Sequence, residues 1–322
     1  MGQRDFLSNF SSNLPFSPPH VMGILNITPN SFSAVGRFQE IDQALAYAEQ
    51  MATDGAAIID IGGEPTNPGV HPVVSLQEEL DRVIPVVEAL SKNISIPISV
   101  DTSKPEIMRA AIAAGASMIN DVRALQLPGA LEVVAEAQVP VCLMHMNDAK
   151  NMHAAPSEPR PQGSVAGVSK LNNYPYASSF EISPNINLSE GVLSNGFCLN
   201  EIKQFLQLRV EACIAAGISR ENIILDPGIG GGHFGKTTTQ NLQILANLSE
   251  LKSLGFPILI GVSRKMFIGE ILDIPVEERL YGSLAAAVMA VANGASIIRA
   301  HDVKATVQAM QIANAIIEEQ QS

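Results

Sequence analysis

The sequence predicts an α/β fold, a TIM (β/α)8 barrel with a long insertion after the fifth strand, and three observations support this prediction. Eight short runs of apolar, mostly β-branched residues alternate with segments of helical periodicity along the chain. The runs lack polar alternation, as expected for strands buried on both faces of a parallel sheet. Without residues 1–20 and 147–198, about 250 residues remain, which is the usual length of such a barrel. An open doubly wound sheet is the alternative, but no run is blunted as edge strands are.

The first five predicted strands lie in the N-terminal half of the chain. They are 21–27, 57–63, 98–103, 117–122 and 139–146. The helices between them are 41–54, one that starts after Ser75, one that opens at Pro105, and about 128–138. Ser75 is expected to cap its helix, with Glu78 completing a capping box. Pro105 stands at a first helical position, which proline favours.

A long polar segment then interrupts the alternation of strands and helices. Residues 147–198 are rich in Pro, Ser, Asn and Gly and show no sustained period, which is typical of an insertion and not of a core element. The later strands are predicted at 222–226, 257–263 and 295–301, with helices at about 199–216, 239–253, up to 293, and 303–318. The chain is therefore predicted to be one domain, 1–322, with an N-terminal extension (1–20) and the insertion within it.

The composition is that of a globular protein with a large core. The chain has 322 residues, of which 46% are hydrophobic and 16% charged, and its formal net charge is -12. This acidic balance argues against partnership with nucleic acids or membranes, so an anionic substrate would need local cations. The three cysteines, Cys142, Cys198 and Cys213, form neither a disulfide framework nor a zinc motif. This pattern favours a reducing, cytoplasmic location.

A glycine-rich stretch follows the predicted sixth strand and precedes a helix. In LDPGIGGGHFGKT, Asp226 stands at the strand end and five glycines follow it, which allows a close approach of backbone to ligand. Residues 230–237 also match the P-loop pattern G-x-x-x-x-G-K-[ST], so a nucleotide-binding protein is one hypothesis. The carboxylate before the loop and the late position of the motif argue against it. A loop with no ligand is the other alternative, which the cost of burying a carboxylate disfavours.

Polar side chains stand at the end of nearly every predicted strand. In chain order they are Asn26, Asp60 with Glu64, Asp101, Asn120 with Asp121, His145, Asp226, Ser263 with Arg264 and Lys265, and Arg299 with His301. Because the active sites of such barrels lie at the carboxyl ends of the strands, these side chains are candidates for a single site. The alternative is that each caps the following helix. That suits Asp101, but not Lys265 or Arg299, because these two lack an acceptor.

The candidate residues divide into two chemical groups. The group that offers hydrogen-bond acceptors is Asp101, Asn120 and Asp226. The group that offers cations or donors is Lys265, Arg299 and His301. Acceptors suit a flat heterocycle rich in N–H donors, and cations suit a phosphate or a carbonyl. The predicted ligand is therefore an amino-substituted ring joined to a phosphate group.

Eight motifs also occur in the order and at the spacing of a known family. They are GILNITPNSFS, IIDIGGEPTNPG, SVDTSKPE, INDV, MHM, LDPGIGGGHFGK, GVSRK and IIRAHDV. Together they resemble the motifs of the dihydropteroate synthases, from residue 21 to about 318 apart from the insertion. The resemblance implies a TIM barrel and a transferase that joins 6-hydroxymethyl-7,8-dihydropterin pyrophosphate to p-aminobenzoate, releasing pyrophosphate, in folate synthesis. It also implies a magnesium requirement, a target of the sulfonamides and a homodimer.

The resemblance further implies roles for individual residues. The substrate-binding set is Asp101, Asn120, Val122, Met144, Asp226, Lys265, Arg299 and His301, with Thr66, Pro68 and Phe234 at the p-aminobenzoate end. The catalytic set is Asp226, Lys265 and Arg299, of which Arg299 would stack on the pterin ring. Asn26 would bind the magnesium that accompanies the pyrophosphate. Two loops, around 28–38 and 63–71, would close over the site.

Several positions depart from the family pattern. Ala34-Val35-Gly36 replaces Asp-Gly-Gly, Pro65-Thr66-Asn67-Pro68 replaces Ser-Thr-Arg-Pro, Met266 replaces a serine, and the glycine-rich loop is two residues longer. These changes touch the loops and the p-aminobenzoate end and leave the pterin set intact. A pterin-binding paralogue without synthase activity is therefore the alternative to a working synthase, and a methyl-transfer barrel is a third hypothesis.

Overall fold

Eight parallel strands form the centre of the computed structural model, which describes residues 19–27, 36–63, 74–146, 195–231 and 234–320. The strands are β1 (His20–Asn26), β2 (Ile58–Gly62), β3 (Ile98–Asp101), β4 (Met118–Asp121), β5 (Val141–Met144), β6 (Ile223–Asp226), β7 (Leu259–Ile260) and β8 (Ile297–Ala300). Each consecutive pair from β1 to β6 is hydrogen-bonded in parallel, and β8 lies between β1 and β7. This order confirms the TIM barrel and shows that the doubly wound alternative is wrong.

The barrel closes between β6 and β7, where the pairing is weakest. Among the described residues, these strands are joined by an isolated parallel bridge between Leu225 and Ile258. The Leu225 N–H donates to the Pro257 carbonyl at 2.9 Å. In contrast, β5 and β6 are in register over four residue pairs, from Val141 with Ile223 to Met144 with Asp226.

Strand β7 is shorter than the predicted run 257–263. The chain leaves the sheet after Ile260, because the Lys265 N–H turns back to the Val262 carbonyl at 3.3 Å. Arg264 adopts a φ of +56° in this turn, a conformation that a side chain other than glycine seldom takes. The turn therefore separates the end of β7 from the start of the next helix.

The inward-facing side chains form an apolar floor beneath a polar layer. The floor is Met22, Ile58, Met118, Cys142, Ile224, Leu259 and Ile297, all buried. Because side chains alternate along a strand, the next inward position lies two residues closer to the carboxyl end. On β2, β3, β4, β6 and β8 the inward positions at that level are Asp60, Asp101, Asn120, Asp226 and Arg299. The interior of the barrel therefore becomes polar at its carboxyl end.

Helices connect the strands and cover the outside of the barrel. They are α1 (Gly36–Thr53), α2 (Leu76–Asn93), α3 (Pro105–Ala114), α4 (Ala130–Ala137), α5 (Asn195–Ala215), α6 (Thr238–Ala246), α7 (Met266–Leu272), α8 (Leu280–Ala292) and α9 (Val303–Glu319), with 3₁₀ helices at Arg220–Asn222, Leu248–Leu254 and Val276–Glu278. Outward-facing strand residues such as Ile59, Ile119 and Leu225 pack with the helices in one large core. No helix in the described ranges is long and apolar enough to span a membrane.

The helix starts agree with the sequence in part. Ser75 caps α2 by accepting the Glu78 N–H at 3.2 Å, and Pro105 is the first residue of α3, as predicted. The predicted capping box at Glu78 is wrong, because its carboxylate pairs with Arg82 one turn later. A complete capping box joins Thr237 and Gln240 at the start of α6, which was not among the predicted helix starts.

Other helix boundaries differ from the prediction. Asn247 ends α6, so the predicted helix 239–253 is an α-helix followed by a 3₁₀ helix. Helix α1 begins five residues earlier than predicted, and α5 begins at Asn195, within the last four residues of the predicted insertion. The remainder of the insertion, 147–194, lies outside the described residues, as does most of the predicted N-terminal extension.

Candidate active site

Asp60 lies at the centre of the polar layer and joins three strands. Its side chain is fully buried, at 0% exposure. Its Oδ2 atom accepts from Arg299 Nε at 2.6 Å and from Asn120 Nδ2 at 3.0 Å. Arg299 Nη2 also donates to Asp101 Oδ2 at 2.9 Å. Charged and amide groups from β2, β3, β4 and β8 therefore form one continuous network.

This network fixes how two side chains are presented. Because the Asn120 amide nitrogen donates to Asp60, its carbonyl oxygen is left to accept from a ligand. Because Nε and Nη2 of Arg299 are both engaged, the guanidinium plane is held by two carboxylates. Asp101 therefore does not cap a helix, and Lys104 occupies the N-cap position of α3.

Two buried oxygen atoms next to this network have no hydrogen-bond partner among the described residues. They are Asp60 Oδ1 and Ser99 Oγ. The two residues are register partners on β2 and β3. The sequence predicts Asp60 at a strand end but indicates no role for it. The signal that could have identified it is its inward position, two residues after the floor residue Ile58.

Asp226 ends β6 with its carboxylate oriented by the glycine-rich loop. The side chain is 7% exposed, and its Oδ1 atom accepts the Gly228 N–H at 2.7 Å. Gly228 has a φ of +73°, and a Cβ atom there would lie 1.9 Å from the His145 carbonyl oxygen, so only glycine fits. Burial raises the pKa of Asp226, and this backbone hydrogen bond and the cations of Lys265, Lys236 and Arg299 counteract the rise.

Lys265 lies between the acceptors and an aromatic ring. Its Nζ atom is 4.2 Å from the centroid of the Phe234 ring, which is itself buried in the glycine-rich loop. Lys265 stands at the N-cap position of α7 but makes no capping hydrogen bond, as its lack of an acceptor requires. Burial lowers its pKa to about 8, assisted by Arg299 and opposed by Asp226 and Asp101. A lysine with this pKa is a charged donor near neutral pH.

His301 is held in place by Ser263, which lies in the turn that follows β7. Ser263 Oγ accepts the His301 backbone N–H at 3.2 Å and lies 3.0 Å from its Nδ1 atom. The Ser263 hydroxyl therefore contacts both the backbone and the ring of His301 and fixes the orientation of the imidazole. Burial, together with the nearby Arg299 charge, lowers the pKa of His301 to about 4. The imidazole is therefore neutral at neutral pH.

The cationic side of the layer is held in place by an ion pair. Arg264 donates from Nε and Nη2 to the two oxygens of Asp302, at 3.0 and 2.6 Å. Asp302 follows His301 and stands before α9, so the pair ties the segment after β7 to the segment after β8. Lys265 and His301 are thus positioned next to each other by a bidentate contact.

The protonation of Asp101 and Arg299 follows from their mutual contact and burial. Burial raises the pKa of Asp101 to about 7, although the Arg299 cation opposes the rise, and the Asp60 and Asp121 carboxylates add to it. Burial alone would lower the pKa of Arg299, but the carboxylates of Asp60 and Asp101 outweigh it and raise that pKa. The site therefore keeps its guanidinium charged while one carboxyl titrates near neutrality.

Five predicted binding residues remain, and the structure describes three of them. Met144 is buried at the end of β5, Val122 is half-buried in the turn after β4, and Asn26 is exposed at the end of β1. Thr66 and Pro68 lie outside the described residues, as does most of both predicted loops. In the described ranges, no group of three or more His, Cys, Asp or Glu side chains could hold a metal ion.

The lysine of the P-loop pattern is turned into the protein. Lys236 is 4% exposed, and its Nζ atom lies 3.1 Å from His145 Nδ1 and 3.3 Å from the His145 carbonyl oxygen. A P-loop lysine must reach the phosphates of a nucleotide. The buried position of Lys236 and the barrel topology show that the P-loop hypothesis is wrong for this chain.

The chain matches one family of known proteins along most of its length. The model of the family described as "Pterin binding enzyme" matches residues 22–174 and 183–301. The dihydropteroate synthase of Escherichia coli K12 is 43% identical over 307 residues, which are 95% of this chain and 94% of that protein. That of Haemophilus influenzae is 44% identical over 299 residues, 93% of this chain and 94% of the relative.

Solved structures agree with these relatives. Dihydropteroate synthase from Yersinia pestis, in complex with a sulfonamide drug, has a TM-score of 0.75 at 44% identity and covers 95% of this chain and 96% of its own. The Coxiella burnetii enzyme in complex with pteroic acid has a TM-score of 0.73 at 44% identity, covering 94% of each chain. The chain therefore belongs to the dihydropteroate synthase family of pterin-binding transferases, which act in folate biosynthesis.

Proposed function

We propose that the chain is a working dihydropteroate synthase that condenses 6-hydroxymethyl-7,8-dihydropterin pyrophosphate with p-aminobenzoate to give dihydropteroate and pyrophosphate. The observation that carries this proposal is the network of Asp60, Arg299, Asp101 and Asn120 beside Asp226 and Lys265. It presents acceptors and cations together at one end of the barrel, as a substrate with an N–H-rich ring and a pyrophosphate requires.

The acceptor side of the site binds the pterin ring. Asp226 and Asp101 accept N–H groups of the ring through carboxylates, and Asn120 accepts through its carbonyl oxygen, which Asp60 orients. Lys265 donates to the carbonyl side of the ring. Met144 and Val122 line the ring at the ends of β5 and β4. Arg299, fixed in its plane by two carboxylates, stacks on the ring.

The cationic side of the site binds the pyrophosphate. Arg299 supplies a permanent positive charge, and His301 supplies the N–H group of a neutral imidazole that Ser263 holds in place. Asn26 offers one neutral oxygen at the open end of β1 and would hold a magnesium ion, which prefers oxygen ligands. When bound, magnesium acts as a Lewis acid that neutralises charge on the pyrophosphate.

The chain accelerates the reaction chiefly by stabilising charge. The bond between the pterin methylene carbon and the pyrophosphate oxygen breaks, and the leaving group takes the electron pair. The carboxylates of Asp226 and Asp101 stabilise the positive charge left on the pterin, while Arg299 and the His301 N–H stabilise the departing anion. The arylamine nitrogen then bonds to the methylene carbon and releases a proton. It is already a competent nucleophile, which explains why the described site offers no nucleophile–base pair.

The p-aminobenzoate end of the site includes Phe234, whose ring lies beneath Lys265. Thr66 and Pro68 complete this end in the family pattern. The protein acts as a cytoplasmic homodimer on small molecules and has neither nucleic acid nor membrane as a partner. These features rest on the family and on the acidic composition.

A single assay tests the proposed activity. Purified protein with magnesium, pterin pyrophosphate and radiolabelled p-aminobenzoate is expected to yield labelled dihydropteroate and an equal amount of pyrophosphate. Calorimetry with free pterin in parallel identifies the alternative. Pterin binding without product would support a paralogue that lacks synthase activity, and absence of both would refute the proposal.

A further inference from the structure

We propose that Lys236 is a positioning residue for Asp226, the carboxylate proposed to bind the pterin. Lys236 acts indirectly, by attaching the glycine-rich loop to the end of β5. The inference rests on the proposed function of Asp226 as a pterin ligand. It also gives a purpose to the glycine–lysine pattern that looks like a P-loop in the sequence. The lysine closes the loop on itself and does not reach a nucleotide.

The contact between Lys236 and His145 is buried and polar. The Lys236 ammonium donates to the His145 carbonyl oxygen at 3.3 Å and lies 3.1 Å from Nδ1 of the same residue. The two residues are far apart in sequence, so this contact closes the whole segment between the end of β5 and α6. A buried ammonium that met only apolar atoms would be costly, so the contact is a strong constraint on the loop.

The packing and the protonation state of His145 allow its ring to accept a hydrogen bond from this ammonium. Its ring packs edge-on against Phe205 of α5, with ring centroids 5.0 Å apart and an interplanar angle of 88°. Burial and the Lys236 charge lower its pKa to about 3, so the imidazole is neutral and Nδ1 can accept a hydrogen bond from the ammonium. The His145 N–H donates to the Asp226 carbonyl oxygen at 2.9 Å, which joins the two strand ends directly.

Gly228 links this contact to the Asp226 carboxylate. The position a Cβ atom would take on Gly228 lies 1.9 Å from the His145 carbonyl oxygen and 3.2 Å from Lys236 Nζ. The Gly228 N–H, in turn, donates to Asp226 Oδ1 at 2.7 Å. The His145 carbonyl and the Lys236 ammonium thus occupy the space that a side chain would take at Gly228, the residue that orients the carboxylate.

The rest of the loop is held by the same closure. The Lys236 N–H donates to the Gly230 carbonyl at 3.3 Å, and the Gly230 N–H donates to Asn241 Oδ1 of α6 at 2.8 Å. The loop therefore returns to its own start at Gly230. Phe234, which lies within this return, is placed against Lys265 as a result.

Lys236 also contributes charge to the Asp226 environment. The groups that interact electrostatically with Asp226 are the cations of Lys265, Lys236 and Arg299 and the thiol of Cys142 on the neighbouring β5. Each cation favours the ionised carboxylate against the effect of burial. Removing the Lys236 charge should therefore raise the pKa of Asp226 and make the acceptor less available near neutral pH.

The test compares Lys236→Met and Lys236→Gln with Lys252→Met, an exposed lysine in the 3₁₀ helix before β7. Free pterin affinity is measured by calorimetry from pH 5 to 9, with thermal unfolding as a second readout. Lys236→Met is expected to weaken pterin binding roughly tenfold at pH 7. It should also shift the acid limb, the loss of affinity as the pH falls and Asp226 is protonated, to higher pH. Lys236→Gln can still donate to the His145 carbonyl, so it should share the pH shift and lose less affinity. Lys252→Met should match the wild type.

The outcomes separate this inference from the proposed function. Wild-type protein that fails to bind pterin would refute the proposed function itself. The positioning role would be overturned if the wild type binds pterin and Lys236→Met binds it with the same affinity and the same loss of binding at low pH. This holds even if the melting temperature of the variant falls. If Lys236→Met does not fold, Lys236→Gln alone is the test. The inference would be overturned if its pterin affinity falls at the same acidic pH as that of the wild type.

Discussion

Arg299 donates its Nε–H to Asp60 at 2.6 Å, and the carboxylate that receives it is fully removed from solvent. The same Asp60 oxygen accepts from the Asn120 amide. One buried carboxylate on β2 therefore sets the orientation of two side chains with different proposed roles. Arg299 contacts both the pyrophosphate and the pterin ring, and Asn120 accepts from the pterin alone.

The first prediction concerns Asp60→Asn. An amide at this position keeps the shape but cannot serve both donors as a carboxylate does, so Arg299 and Asn120 should lose their fixed orientation. We expect pterin affinity to fall by one to two orders of magnitude, roughly the value of one charge-assisted contact. Calorimetry with free pterin measures it. Ser99→Ala, which removes a neighbouring inward oxygen with no partner in the described structure, should bind normally, and equal losses in both variants would contradict this role.

The second prediction concerns Asp226→Asn. The amide oxygen can still accept the Gly228 N–H, but the other acceptor becomes a donor and the charge is lost. The expected loss is about 1.5–3 kcal/mol of pterin binding. Asp121→Asn is a matched control, because Asp121 is also buried at a strand end but accepts from Ser103 and the Leu125 N–H. That control should cost stability and spare affinity, and a reversed pattern would refute the assignment.

The third prediction is a bell-shaped pH dependence of kcat/KM. Asp101 must be ionised to accept from the pterin, so activity should fall as the pH decreases through about 7. Lys265 must be charged to donate, so activity should fall again as the pH rises through about 8. The raised pKa of Asp226 adds to the acid limb. Initial rates across pH measure the profile, which reports groups of the free enzyme.

Lys265→Arg provides the internal check on this profile. A guanidinium stays charged throughout the accessible pH range, so the alkaline limb should move upward while the acid limb remains. An alkaline limb that stays near pH 8 in this variant would assign that limb to another group.

The fourth prediction concerns nucleotide binding. Because Lys236 is buried against His145, ATP with magnesium should leave the melting temperature unchanged. The pterin pyrophosphate should raise the stability by about 2.7 kcal/mol at a concentration one hundred times its Kd. Differential scanning fluorimetry compares the two ligands, and stabilisation by ATP alone would show that the loop binds nucleotide after all.

The polar layer was predictable from the sequence because it depends on local order. A buried run followed by Asp101, Asn120 or Asp226 marks a strand end, and parallel strands bring such ends together. Arg299 and Lys265 follow from the same rule. The structure places all five at the carboxyl end of the barrel, and their individual roles stay predictions.

The contacts within the layer were not predictable in the same way. Asp60 and Arg299 are 239 residues apart, and nothing local indicates which carboxylate each guanidinium nitrogen will meet. The neutral state of His301 likewise depends on burial and on a neighbouring cation from the same strand. The short β7 depends on the turn at Arg264, whose positive φ no sequence period reveals.

The weak pairing between β6 and β7 has a consequence for the local opening of the barrel. Local opening follows the fewest backbone hydrogen bonds, so amide protons at this junction should exchange with solvent faster than those between β5 and β6. Asp226 ends one side of the junction and Lys265 follows the other. A pterin held by both would bridge the opening, so it should slow exchange in Leu259 and Ile260 more than in strands on the opposite side. Hydrogen-exchange mass spectrometry measures this protection. Equal protection of all eight strands by the pterin would mean that the ligand does not bridge β6 and β7, and that this junction is as stable as the others.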